Sequence, residues 1–183
     1  MKAVSDSPRR FLLDQFHGLV LAATVQRAHI YRPTASEIVR NKFRIGLRFA
    51  LDEYVEAYAT PVEDTAHVQR IGVLADRLSL MHEAALAAGR FRVGPAQKAL
   101  NLFLKYQWSA GWIPRPPHCP FDAVIIDALP YRARIRWTQL DSLEQYRALV
   151  SVARGVAAGV PLAEWELLEY EKRSPAATRA RLV

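Results

Sequence analysis

One cysteine, two methionines and eight glycines in 183 residues mark what this chain does without. With Cys119 alone it forms no intrachain disulfide and builds no cysteine-rich zinc site, which makes a reducing cytoplasm its expected setting. Sparse glycine argues against a turn-rich β fold and for helices. No run of about 18 uncharged apolar residues occurs, so no membrane span is expected. Residues 1–10 lack the basic-then-apolar order of a signal peptide, and Asp14 and His17 interrupt the apolar stretch behind them. No nucleotide, flavin or haem motif is present, so no cofactor is expected. His17, His29, His67 and His82 stand singly on separate turns instead of as closely spaced ligand pairs, which argues against a metal site.

What is present is apolar and basic. Hydrophobic residues make up 51% of the chain, enough for one domain over residues 1–183 to bury a core. The formal net charge is +7, most of the positive charge being arginine. The planar guanidinium fork suits phosphates, so a nucleic-acid partner is the first expectation, although arginine-rich composition alone also occurs without one.

Periodicity predicts an all-α chain of about seven helices. The first runs from Ser7, with Pro8 in its opening turn, to about His29, with Phe11, Leu12, Phe16, Leu19, Val20 and Ala23 facing inward. The second starts at Thr34 or Ser36, with Ser36 a candidate cap, and runs to about Tyr58 with Ile38, Phe43, Leu47, Leu51 and Val55 inward. The third begins at Asp64 or Thr65, turns Val68, Ile71, Leu74, Leu78, Met81 and Leu86 inward, and stops at Ala88–Gly89. A fourth follows from Pro95 to about Ala110. Residues 111–120 carry four prolines and read as a stiff, extended path. A short helix from Ala123 to Leu129 is capped by Asp122. The segment 131–137 alternates as a strand or extended rim, and helices over 141–158 and 161–172 close the fold. The tail, 174–183, reads as frayed.

Three features carry candidate chemistry. Gly94 lies in the turn before the fourth helix, whose opening amides and dipole together make a seat for a phosphate, with Arg90 and Arg92 beside it. An ordinary interhelical turn fits the same residues. Along that helix Lys98, Asn101, Lys105 and either Trp108 or Trp112 recur at steps of three and four, while the other faces are apolar. A polar stripe on an otherwise buried helix lines a pocket, and a lysine in a desolvated pocket is the usual source of a Schiff-base amine; the alternative is that both lysines face water. Third, Asp122 follows the proline-rich stretch, where it either caps a helix or is delivered into a cleft to stabilise a developing cation. His118 and Cys119 stand close by.

Where these residues stand together, the chain resembles the helix-hairpin-helix DNA glycosylases, most closely their oxoguanine-type branch. The similarity rests on Val93-Gly94-Pro95-Ala96-Gln97-Lys98-Ala99, on Pro120-Phe121-Asp122-Ala123-Val124-Ile125, and on a late Trp165-bearing helix; it covers about residues 86–170. Ala96 and Ala123-Val124 differ from the glycine and polar pair usual there. The resemblance implies a helix-hairpin-helix-like element and excision of a damaged or modified base, with or without lyase chemistry. It implies that Lys98 attacks the sugar C1′ and that Asp122 stabilises the oxocarbenium-like centre. Arg90, Arg92, Gly94, Gln97, Arg132 and Arg134 would then contact DNA. A flipped base would sit near Asn101, Lys105, Trp108, Trp112 and His118. Two other readings fit the same residues. One is a non-catalytic basic module that binds nucleic acid or a protein, of a mobile-element or phage-defence kind, with Trp112, Tyr131 and Trp137 as stacking platforms. The other is an accessory subunit whose tryptophans, Trp108, Trp112, Trp137 and Trp165, are plain core.

Overall fold

The computed structural model describes residues 7–26, 28–130 and 135–173. Seven α-helices account for nearly all of its regular structure: α1 (Ser7–Leu21), α2 (Glu37–Ala57), α3 (Asp64–His82), α4 (Val93–Ser109), α5 (Ala123–Asp127), α6 (Leu143–Ala157) and α7 (Leu162–Arg173). There is no strand among the described residues. Tyr31 and Leu86 form one isolated bridge. No described helix is long and apolar enough to cross a membrane.

Helix α4 is the axis of the fold. Of its 17 residues, 12 are buried, and it packs against α1, α2, α3, α6 and the short 3-10 turn Trp137–Gln139. Such enclosure follows from a helix apolar on most sides. One contiguous core draws on all seven helices, from Val20 and Phe43 through Leu74 and Phe103 to Ile125, Leu149 and Trp165.

Several boundaries and faces differ from expectation. The first helix leaves α geometry at Leu21 and continues as π-helix over Ala22–Gln26, and His29 has a positive φ of 47°. Its buried side is His17 and Val20 with Leu13 and Phe16 packed beside them, whereas Phe11 is 62% and Leu19 51% exposed, and Leu12 is exposed too. The helix is apolar on more than one side. The side that docks is the one on which Phe16 stacks on Tyr106, His17 stacks on Phe103, and His17 bonds Asp52 of α2 at 2.7 Å. Ile38 and Met81 are likewise exposed. Helix α3 ends at His82 and gives way to two 3-10 turns; Ala88 and Gly89 both take positive φ, closing the chain sharply before α4. The fourth helix starts at Val93, so Pro95 stands in its first turn, where amides have no helical acceptor. The residues 131–134 of the expected strand lie outside the described residues, Trp137–Gln139 is a 3-10 turn, and the tail 174–183 is also outside.

Candidate active site

Lys98 projects from the second turn of α4 into a cavity of about 620 Å³ whose charged lining is Lys98, Lys105, Asp122 and Glu166. Leu19, Ala22 and Ala23 line it from α1 and its π-helical end, Tyr106 from α4, Leu167 and Tyr170 from α7. Lys98 is 3% exposed, so neither it nor Lys105, also largely covered, simply faces bulk water.

The Lys98 ammonium lies 3.8 Å from Asp122 Oδ2, an ion-pair separation too long for a direct hydrogen bond. It also stands 4.2 Å from the ring centroid of Trp137, within cation–π range. Asp122 is at the same time the N-cap of α5: its Oδ1 accepts from the Val124 amide at 3.0 Å and the Ile125 amide at 3.3 Å. The capping and cleft-facing readings of this residue are therefore compatible, because each oxygen serves one of them. Across the cavity Lys105 donates to Glu166 Oε1 at 2.8 Å, and Glu166 Oε2 stands 2.6 Å from the same nitrogen without hydrogen-bond geometry. Burial pushes the Glu166 carboxyl above its ordinary value, against the pull of the Lys105 ammonium. The lining thus carries two cations and two anions.

The other polar residues expected in this pocket go elsewhere, and helix geometry says why. At about 100° per residue, Lys98, Leu102, Lys105 and Ser109 fall within about 40° of one line, while Gln97, Asn101 and Trp108 fall about 60–100° to one side. Asn101 is fully buried. Its Nδ2 donates to Gln97 Oε1 at 3.2 Å and to the Tyr146 hydroxyl at 3.1 Å, and its Oδ1 stands 2.8 Å from His67 Nε2. His118 is fully buried between Tyr146 at 2.7 Å and Asp64 at 2.5 Å, and Asp64 also accepts from Arg154. Trp108 packs against the core. Trp112 follows the end of the helix and a Gly111 of positive φ, so helical spacing does not reach it; its ring meets Phe16 and the Arg9 guanidinium instead.

This buried network has one consistent direction of donation. Tyr58 donates to His67 Nδ1 at 2.6 Å, which makes His67 Nε2–H the donor to Asn101 Oδ1. Tyr146 donates to His118 Nδ1, and His118 Nε2–H donates to Asp64. Burial pushes His67 down to about 3, lowers His118, and raises Tyr58 to about 12. Burial also drives the Cys119 thiol well up, so it is no ready nucleophile.

The expected phosphate seat is closed. The Gly94 amide donates to the Leu140 carbonyl at 2.8 Å, and a Cβ on Gly94 would stand 1.7 Å from the Trp137 carbonyl oxygen. Glycine is needed here for the close approach of residues 137–140, not for an anion. Arg90 pairs with Asp141 at 3.2 Å, and Arg92 reaches the Ala28 carbonyl at 3.5 Å. Gln97 is fully buried and contacts the Phe121 backbone, so it is not on a nucleic-acid surface. Arg132 and Arg134 lie outside the described residues. Glu166, Tyr106 and Tyr170 are site residues that sequence spacing did not bring forward; α7 meets α4 only through the fold, and no local pattern announces it.

No protein-family model, curated protein or solved structure matches this chain.

Proposed function

We propose that the chain is a base-excising glycosylase acting on nucleic acid in the cytoplasm, with Lys98 and Asp122 as the reacting pair. The observation that carries this reading is the Lys98 ammonium 3.8 Å from the Asp122 carboxylate inside a cavity of about 620 Å³. That volume lies in the range of sites that enclose a small organic group, and a base must leave its stack to reach such a pocket. A lining of two cations and two anions suits a neutral, flat, hydrogen-bonding heterocycle better than a bare phosphate. The formal charge of +7 supports a polyanionic partner, and Arg136, exposed next to Trp137, would be available to its backbone.

In this reading the neutral amine of Lys98, its proton passed to solvent, attacks C1′ of the flipped nucleotide. The C1′–N glycosidic bond breaks, its electron pair leaves with the base, and the base takes up a proton. The Asp122 carboxylate stabilises the positive charge that develops at C1′. The amine then loses a second proton and the C1′–O4′ bond breaks, its electron pair and a proton going to O4′. The resulting Schiff base is hydrolysed by water to an aldehyde and the lysine amine. If water attacks C1′ directly, Asp122 keeps the same role and no adduct forms.

Incubation with a panel of duplex and single-stranded substrates carrying oxidised, deaminated and alkylated bases tests the proposal by chromatography of the released base. Release of one class, lost in Asp122→Asn, is the expected result. No release from any substrate removes the enzyme reading.

The closed amide seat at Gly94 favours a second reading. The chain then serves as a non-catalytic module of a mobile-element or phage-defence system, and Lys98–Asp122 is an internal ion pair. Salt-dependent binding that is unchanged in Asp122→Asn and accompanied by no base release supports it.

A further inference from the structure

Gln97 and Lys98 are consecutive residues of α4, yet they reach Asp122 from two directions. Lys98 faces the carboxylate across the cavity. Gln97 points into the core, where its Nε2 donates to the Phe121 carbonyl at 2.8 Å and its Oε1 accepts from the Phe121 amide at 3.1 Å. A primary amide is the one side chain of this length that offers a donor and an acceptor side by side in one plane, so it can close both backbone groups of a single residue.

We infer that Gln97 is a positioning residue that sets the Lys98–Asp122 separation by gripping the residue immediately before Asp122. The inference rests on the Lys98–Asp122 pair being the reacting pair, but not on the identity of the substrate.

Three observations converge on it. The grip is buried, with Gln97, Phe121 and Asn101 all inaccessible to solvent. Its orientation is fixed from behind: Asn101 Nδ2 also donates to Gln97 Oε1, and Asn101 is itself held by His67 and Tyr146. A flipped Gln97 amide would set its NH2 against both the Phe121 amide and Asn101 Nδ2. Finally, both arms start from one rigid helix, so the amine and the carboxylate share a single reference. Asp122 then has little freedom, since its Oδ1 is committed to the α5 amides and its preceding peptide to Gln97. Only Oδ2 is left to face the amine.

A purely structural Gln97 would satisfy the buried Phe121 groups and do no more. The two roles separate when the reactivity of Lys98 is measured without any nucleic acid. Labelling by a small aldehyde, reduction with borohydride and peptide mass spectrometry give the pH midpoint at which Lys98 becomes reactive. Asp122→Asn removes the nearby carboxylate that favours the charged amine, and is expected to move that midpoint down by about one pH unit. Gln97→Met is expected to move it the same way by at least about half as much. The double variant should move it no further than Asp122→Asn alone. Gln97→Asn keeps the amide but falls one methylene short; it serves as the gentler variant if Gln97→Met does not fold, with the same expected direction. Leu100→Ala, a cavity on another face of α4, is the control for lost stability and should leave the midpoint in place. A folded Gln97 variant with the wild-type midpoint, or a double variant whose shift is the sum of the singles, overturns the inference. Base release does not enter this measurement, so the two failures are distinguishable: an unmoved midpoint overturns the positioning role of Gln97, whereas absent base release removes the reaction assigned to the pair it positions.

Discussion

At the residue scale, the two oxygens of Asp122 do different work: one caps α5 and the other faces Lys98. Asparagine keeps the cap and removes the charge, whereas alanine removes both. Asp122→Asn should therefore cost about 1.4 kcal/mol in urea denaturation at neutral pH, the equivalent of one pH unit on Lys98, and Asp122→Ala about 1 kcal/mol more through the lost cap. Both should depress base release by about a hundredfold or more, read from single-turnover rates. His67 supplies a second prediction. Its folded value is held near 3 by burial, against 6.5 when free. The unfolded chain therefore binds the extra proton first, and the stability present above pH 6.5 drains away as pH falls toward 3. His118 is lowered as well and acts in the same direction. Urea midpoints measured at pH 7.5, 6 and 5 should fall, each histidine contributing up to about 1.4 kcal/mol per pH unit below its free value. A flat profile across that range would mean that the histidines are not buried neutral.

At the scale of elements, α4 and the turn Trp137–Gln139 define the site together. The Trp137 carbonyl lies against Gly94 while its ring lies over Lys98, so the turn both closes the start of α4 and covers the amine. Gly94→Ala forces a Cβ into that carbonyl. It should cost about 2 kcal/mol or more, and should shift tryptophan fluorescence as the turn moves off the helix. Much of this level was legible in the sequence. Proline and glycine stops placed most helix ends within two or three residues, although the first and third helices end several residues sooner than expected. The mostly apolar remainder of the helix around Lys98 and Lys105 marked α4 as buried. The faces were less legible. Steps of three and four put Asn101 and Trp108 on the stripe of Lys98 only loosely, and a drift of about 60–100° was enough to send them into the core network. In α1 the apolar residues Phe11, Leu12 and Leu19 fitted a helical repeat as well as Phe16 and Val20 did; only the partners on α4 decide between them. Glu166 could not be read at all, since its meaning comes from Lys105, 61 positions away.

For the whole molecule, helices from both ends of the chain close on one central helix, and the cavity lies where the first and the last of them meet it. Many of the surface arginines are engaged: Arg44 with Glu37, Arg48 with Asp14, Arg77 with Glu53, Arg115 with Glu164. Exposed pairs of this kind add little stability and leave the net charge of +7 intact. Duplex binding, if driven by that charge, should weaken by more than about tenfold between 50 and 200 mM salt in a fluorescence-anisotropy titration. A flat response would count against a nucleic-acid partner of either kind. The proposed reaction requires the amine of Lys98 to reach a sugar carbon within that cavity. Borohydride trapping on an abasic duplex, followed by digestion and mass spectrometry, tests this most directly. The expected result is a covalent adduct on Lys98 that disappears in Lys98→Ala. An adduct on another lysine, or none on the folded wild-type protein, would contradict Lys98 as the attacking amine.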